Sequence, residues 1–424
     1  MDILQDYYSL FKSRLDKVIY ALNKTPYGIK NKFRSHKLYA EFASKIVFSD
    51  DILKSAPNSL IIKGDRKLRK FTTSGTIGTQ KIIYIPDRVN PDGVPYQVID
   101  IIKSQKSPLF VGVHSKRTKN EYVYWVYKKI YGYHCPRFTV TEFYDGKSAV
   151  NSISKSDFLI IYDYPSSIQH LLYLLSDYFK NNPKSRNRFK KKVVVIELFG
   201  EPIKMVDLDI IFNNANDLFG IKPIIWVSYG LTEVGSVGIY EYKQNSREIL
   251  YSISSNIFLE VIDVNTCRPV PLGKVGEIVV SSLRTEGTIL LRYRTKDLGR
   301  LLVRNNRLYL QVLGRDPKTM TVYLAGGQFS VIDLRNYMVQ QFDILPKFEI
   351  TKKVVYRAGQ ELLHIYMYLP NRIGQDKAEK LKGSIRKWII AETMIQSEIR
   401  EKRASIFVDI RPYPLGHKKT FKLS

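Results

Sequence analysis

Cysteine is nearly missing: Cys135 and Cys267 are the two in 424 residues, far apart and outside any zinc or redox spacing. That excludes a disulfide-stapled scaffold and a thioredoxin-like redox motif, and makes a reducing cytoplasm the expected setting. The six histidines are scattered and form no metal-ligand pattern. No run of about 18 apolar residues occurs, so no segment reads as a membrane-spanning helix. Met1 to Lys24 mixes charges throughout and lacks an apolar leader core. Acids are scarce beside bases: 40 Asp and Glu against 67 Lys and Arg leave a formal charge of +27. No zinc finger or RNA-recognition signature accompanies that charge. Specific nucleic-acid binding is therefore not expected, and any binding should be non-specific and fall steeply with salt. Internal repeats and low-complexity blocks are absent too.

What is present suits two or three domains with a sizeable core, since 44% of residues are hydrophobic and 12% aromatic. The densest basic run holds Lys180, Lys184, Arg186, Arg188, Lys190, Lys191 and Lys192, and reads as a solvated loop after a helix. Anionic partners stay open: phosphorylated cofactors or an acidic carrier protein.

Apolar spacing predicts an amphipathic helix over residues 5–24 and a second over roughly 36–47. Leu60–Ile62 and Lys81–Ile85 read as strands. Next come strand and helix units: strands at Leu109–Val113, Arg137–Thr141, Phe158–Tyr162, Lys192–Ile196 and Ile224–Val227. Helices are expected at Asn120–Tyr131, at Ile168–Phe179 capped by Pro165-Ser166-Ser167, and over about 205–219. Such alternation argues for a helix-covered, mostly parallel sheet, with ligands beyond the carboxyl ends of its strands. From about residue 245 short alternating strands predict an antiparallel region, closed by Gly314. The remainder reads as a small α+β unit ending in a helix, Ala378–Ile395, and a basic tail. The fold class is thus α/β, with a large domain at 1–313 and a small one at 314–424.

Six stretches carry chemistry. Thr72 to Lys81 packs hydroxyls and two glycines into a loop ending in lysine; such backbone can wrap phosphate oxygens. It is not the common P-loop, because Gln80 separates glycine from Lys81. Ser228-Tyr229-Gly230-Leu231-Thr232-Glu233 puts an aromatic, a hydroxyl and a carboxylate at a strand's carboxyl end. Phe199-Gly200-Glu201-Pro202 ends the preceding strand. Arg292-Tyr293-Arg294-Thr295-Lys296-Asp297-Leu298 offers an aspartate suited to vicinal hydroxyls. Gly314-Arg315-Asp316 and the tail Pro414-Leu-Gly-His-Lys-Lys-Thr-Phe-Lys-Leu423 complete the set, with Gly273-Lys-Val-Gly-Glu277 beside them.

Taken in chain order, the stretches resemble the motifs of the adenylate-forming superfamily of acyl-coenzyme A synthetases, luciferases and adenylation domains. The short length, the Pro165-Ser166 turn, Gly-Glu-Pro and Arg-Tyr-Arg-Thr resemble the phenylacetate–coenzyme A ligase branch. Departures are Ile77 and Gln80 in the first loop, Lys296 where the family has glycine, Pro317 at the hinge, and a displaced glycine, Gly416, in the tail.

The resemblance implies ATP-dependent activation of a small carboxylic acid to an acyl-adenylate, then transfer to coenzyme A. Thr73, Ser74, Gly75, Thr76, Gly78 and Lys81 would hold phosphates. Tyr229 and Gly230 would line one side of adenine, and Gly200, Glu201 and Pro202 the other. Asp297 and Arg315 would bind ribose, Glu233 would hold Mg²⁺ beside Thr232, and Lys419, with Lys418 as competitor, would reach the reacting carboxylate. The small domain would be mobile. Val111 to His114 and Phe199 suggest an apolar or aromatic acyl group. A carrier-protein thiol or an amine as acceptor, a non-catalytic basic binding protein on the same fold, and a homodimer are left open.

Overall fold

The structure is a computed structural model that describes residues 3–43, 50–62, 67–72, 81–86, 109–112, 137–138, 150, 153–154, 158–187, 189–190, 192–200, 203–315, 321–325, 327–342, 347–355, 360–369, 374–393 and 395–412. Its backbone is an 11-stranded sheet. From one edge the strands are Ile257–Ile262, Gly276–Ser282, Tyr293–Arg304, Arg307–Arg315, Tyr251–Ile253, Gly235–Glu241, Ile224–Leu231, Val193–Phe199, Phe158–Asp163, Leu109–Gly112 and Arg137–Phe138. The last five pair in parallel, and the others are antiparallel. The parallel sheet and the antiparallel region expected from sequence are therefore two halves of one hydrogen-bonded surface. The join is the hairpin of Ile224–Leu231 with Gly235–Glu241. The second of these strands was not predicted, because the turn between them had been read as a functional loop.

Helices Pro165–Asn181 and Met205–Phe219 cover one face. Ile168, Leu171, Leu172, Leu175 and Phe179 recur at helical spacing, as do Leu208, Ile211, Phe212, Ala215 and Leu218, and all are buried. They pack with Leu159, Ile161, Val194, Ile196, Leu198, Ile225 and Val227, alternate residues of three neighbouring strands. Each Leu, Ile, Val or Phe among them contributes about 1.5–3 kcal/mol on burial. The first helix begins at Pro165 itself, after Tyr164, with no side-chain cap. Ser166 and Ser167 thus lie inside the helix rather than capping it, and the fixed φ of proline sets the start. The second helix ends at Gly220, in the left-handed region at φ 69°, whose N–H bonds to the Asn216 carbonyl.

The N-terminal helix, Ile3–Leu22, docks through rings. Tyr7, Tyr8, Phe11, Tyr39 and Phe42 all lie 5.1–6.3 Å from the Phe258 ring. Beside them Arg292 pairs with Glu260 at 2.9 Å, each about 1% exposed. Of the helix expected at 36–47, Tyr39–Ala43 is described. The helix expected at Asn120–Tyr131 lies outside the described residues.

A second hydrophobic cluster runs from Val322 to Val408, while the first has its last member at Leu310. Its sheet is Lys347–Val355, Gln360–Leu369 and Ala404–Pro412, packed by the helix Gln375–Thr393. The last strand corrects the expectation of a basic tail directly after the helix. It pairs in parallel with Gln360–Leu369, and alternate Ala404, Ile406 and Val408 are buried. In the basic run, Lys180, Lys184, Arg186 and Lys190 are exposed as expected, but Lys192 is 3% exposed and donates to the Ser154 carbonyl at 3.3 Å.

Candidate functional site

The carboxyl ends of Val193–Phe199 and Ile224–Leu231 lie side by side, with Phe199 opposite Ser228. The second strand continues through Tyr229 and Gly230 to Leu231, and Thr232 and Glu233 form the turn into the next strand. A hairpin turn, not an open loop, thus presents the carboxylate. Glu233 is 5% exposed. Lys81 Nζ lies 2.5 Å from Glu233 Oε1. Tyr293 closes a triangle, donating its hydroxyl to the same oxygen at 3.1 Å and accepting from Lys81 at 3.0 Å. Arg284 donates to the Glu233 carbonyl at 2.7 Å and fixes the turn.

A second pair sits nearby. Tyr229 donates its hydroxyl to Asp297 Oδ2 at 2.8 Å, and Arg315 Nε lies 3.2 Å from Asp297 Oδ1. Asp297 and Arg315 face each other across adjacent antiparallel strands. Burial pushes the Asp297 carboxyl up; Arg315 and Tyr229 oppose this, and the nearby Glu233 charge adds to it. Burial, then Asp297, raises the Tyr229 hydroxyl well above its ordinary value. The ring of Tyr229 lies 6.0 Å from that of Tyr251.

Local backbone explains why Asp297 is in place although Lys296 replaces glycine. Lys296 takes the left-handed conformation itself, at φ 65°. Its N–H donates to Glu277 Oε1 at 3.0 Å, and Arg294 Nε donates to Glu277 Oε2 at 2.8 Å. One carboxylate, from the Gly273–Glu277 stretch, therefore holds the turn that a glycine would have formed freely. Gly200 has no such substitute. Its φ is 77°, and a Cβ there would stand 2.3 Å from the Tyr164 ring.

Of the expected site residues, Lys81, Glu233, Tyr229, Asp297 and Arg315 come together, with Gly230 beside Tyr229 on its strand and Gly200 and Thr232 on the flanking turns. Thr73, Ser74, Gly75, Thr76, Gly78, Glu201, Pro202, Asp316, Pro317, His114, Lys418 and Lys419 lie outside the described residues. Sequence reasoning missed Tyr293 and Arg284. Tyr293 stood inside a quoted motif, but nothing in one sequence says that its hydroxyl meets a residue 60 positions away.

Glu197 was missed as well. It stands on the strand before Gly200, buried, and burial raises its carboxyl to about 7, opposed by the Ser228 hydroxyl that donates to it and by the nearby Trp226 N–H. The folded state therefore holds this proton more tightly than the unfolded chain. The resulting stabilisation is complete below about 4.5 and is lost as pH rises through about 7. Glu197→Gln does not titrate, so its stability relative to wild type should rise across that window by about 1.4 kcal/mol per pH unit. Denaturant melts at pH 5 and pH 8 read the difference; equal offsets at both would refute it.

No protein-family profile matches the chain. Curated relatives match over short stretches. A phenylacetate–coenzyme A ligase of Aromatoleum evansii is 31% identical over 97 residues, 22% of this chain and 22% of the relative. One of Pseudomonas putida is 35% identical over 74 residues, 18% and 17% of the two chains. The matched stretches thus span about a fifth of those relatives' length. Among solved structures, a 2-hydroxyisobutyryl-CoA ligase in complex with 2-HIB-AMP and CoA, in its thioesterification state, matches 99% of this chain and 90% of its own. Its TM-score is 0.70, at 14% identity. The chain thus resembles coenzyme A ligases over short stretches and shares their fold. The same ligase in its postadenylation state matches with a TM-score of 0.56 at 15% identity, over 98% of this chain and 88% of that one. At such identities the structural likeness is one of fold. Among the described residues, no helix is long and apolar enough to cross a membrane.

Proposed function

We propose that the chain activates a carboxylic acid with ATP and passes the acyl group to coenzyme A. One carboxylate oxygen attacks the α-phosphorus and pyrophosphate leaves; the thiol sulfur then attacks the acyl carbon and AMP leaves. The observation that carries this reading is the convergence of the Lys81–Glu233–Tyr293 triangle and the Tyr229–Asp297–Arg315 chain at the carboxyl ends of parallel strands. Short matches to relatives named as coenzyme A ligases, and the shared fold, support it.

In this reading Lys81, with Thr73, Ser74, Gly75, Thr76 and Gly78, binds phosphate oxygens. Tyr229 and Gly230 line adenine opposite Gly200, Glu201 and Pro202, while Asp297 and Arg315 take the ribose hydroxyls. Mg²⁺ is carried by one or two carboxylates together with substrate phosphates, so the buried oxygen donor Glu233 fits it, and the ion would neutralise phosphate charge. The protein positions the reactants and offsets developing charge. Residues 1–313 and 314–424 form the two units, supported by the two separate hydrophobic clusters. Phe199, with Tyr162 and Tyr164 at 6.5 and 5.7 Å between ring centres, suits an aromatic acyl group.

The deciding experiment is carboxylate-dependent exchange of labelled pyrophosphate into ATP, followed by thioester formation with free coenzyme A, a carrier protein or an amine acceptor. Exchange with no acid would sink the reading, and the last arm identifies the acceptor. Asp297→Ala should weaken AMP binding about tenfold, because ribose hydroxyls and Arg315 lose a charged acceptor. Calorimetric titration with AMP reads this, and unchanged affinity removes Asp297 from the site. Lys419→Ala should slow adenylate formation about tenfold or more and spare thioester formation from preformed acyl-adenylate. Equal loss of both steps would make the tail structural, and loss in Lys418→Ala alone would move the role by one residue.

A further inference from the structure

The face of the sheet that presents Glu197 is polar where a parallel sheet is ordinarily apolar. Tyr162, Glu197 and Trp226 stand in register across three neighbouring parallel strands, and Phe199 and Ser228 form the next row on the same face. Ser228 donates to Glu197 Oε1 at 3.0 Å. The other oxygen, Oε2, is buried and has no partner among the described residues. Trp226 Nε1 is buried as well; it lies near enough to favour the charged carboxylate yet closes no hydrogen bond. Ser236, across from Gly230 on the adjoining strand, holds a third buried polar atom without a partner among the described residues. Buried polar atoms are rarely left unpaired, and a cluster of them calls for an explanation.

Position supplies one. The row lies at the carboxyl ends of parallel strands, where open α/β sheets receive ligands. Ser228 directly precedes Tyr229, whose hydroxyl is bonded to Asp297. The row runs out at Gly200 on one strand and at Tyr229 and Gly230 on the next, the strand ends proposed to line the nucleotide, so a group held against Glu197 would approach it from within the sheet's end. Phe199 gives that group an aromatic wall, and Glu197 gives it an acceptor.

We propose that the acid activated here carries a hydrogen-bond donor on its acyl part, an amine or a hydroxyl, and that Glu197 reads it. This rests on the adenylation reading above. A plain aryl or alkyl acid leaves Glu197 Oε2 and the Trp226 N–H as they are. A hydroxyl satisfies both, donating to the first and accepting from the second. An ammonium satisfies the first and adds charge attraction. Sites built to bond a substrate polar group reject analogues that lack it far more strongly than apolar pockets reject a size change.

The test uses phenylacetate, 4-hydroxyphenylacetate and 4-(aminomethyl)phenylacetate as probes in pyrophosphate exchange, with wild type, Glu197→Gln and Glu197→Leu. Wild type should favour one of the two donor-bearing acids over phenylacetate by about 100-fold or more in kcat/KM. Glu197→Leu should bring that ratio near one, and Glu197→Gln should retain the hydroxyl preference better than the amine preference. Preference for phenylacetate in wild type, or an unchanged ratio in Glu197→Leu, overturns the inference and leaves adenylation standing. If no acid supports exchange, the adenylation reading fails. The inference is then decided by calorimetric binding of the same acids: donor-selective binding lost in Glu197→Leu upholds it, and unselective or absent binding overturns it.

Discussion

Glu233→Gln should lower the rate of pyrophosphate exchange by about 10²–10³-fold, the loss typical of removing one preorganised electrostatic group. The side chain is 6% exposed and receives both Lys81 and the Tyr293 hydroxyl on one oxygen. Glutamine matches its shape and keeps an acceptor for both donors, so the turn, with its carbonyl tied to Arg284, should survive. What goes is the charge. Lys81 then lacks its counter-ion, and the oxygen suited to Mg²⁺ is a poorer donor. AMP affinity, which in the proposed reading depends on Tyr229, Asp297 and Arg315, should change little. The discriminating result is therefore a collapsed exchange rate at unchanged AMP affinity and melting temperature. A wild-type rate would remove Glu233 from the chemistry; equal loss of rate and fold would make it a structural carboxylate.

Much of this site was legible in the sequence because its members stand in short stretches at strand ends. Tyr229 and Glu233 follow an apolar strand, and Asp297 follows Tyr293-Arg294-Thr295, so the resemblance of these short stretches to the adenylate-forming motifs nominated them. The partners of those residues were not legible. Lys81 meets Glu233 across 152 positions, and Arg315 meets Asp297 through a strand pairing whose register bulges between Leu298 and Gly299. Such contacts follow from sheet topology, and period and turn residues do not fix that. Glu197 was hidden for another reason. Val193 to Phe199 is an apolar run, and a single acid within it reads as a solvent-facing exception, whereas both faces of this parallel strand are covered. The unpredicted strand Ala404–Pro412 alternates as a strand should, but its lysine- and arginine-rich flanks suggested a tail.

The largest expected effect on stability comes from a pair outside the proposed chemistry. Glu260→Ala should destabilise the protein by about 3–5 kcal/mol, since it strands a buried guanidinium. Burial raises the Glu260 carboxyl, opposed by Arg292 and by the Tyr39 hydroxyl, which donates at 3.3 Å. Arg292 also reaches the Cys267 carbonyl at 3.5 Å, and its own N–H donates to Ser281 Oγ at 2.8 Å. It sits at φ 52°, immediately before the strand that carries Tyr293 and Asp297. Loosening it should therefore reach the site through the backbone: activity at 25 °C should fall together with stability. Replacing both partners, in Glu260→Met with Arg292→Met, removes the stranded charge and should recover much of the loss in urea unfolding. If Glu260→Ala unfolds at the wild-type urea midpoint, the pair is already hydrated, and its apparent burial does not set the position of Tyr293.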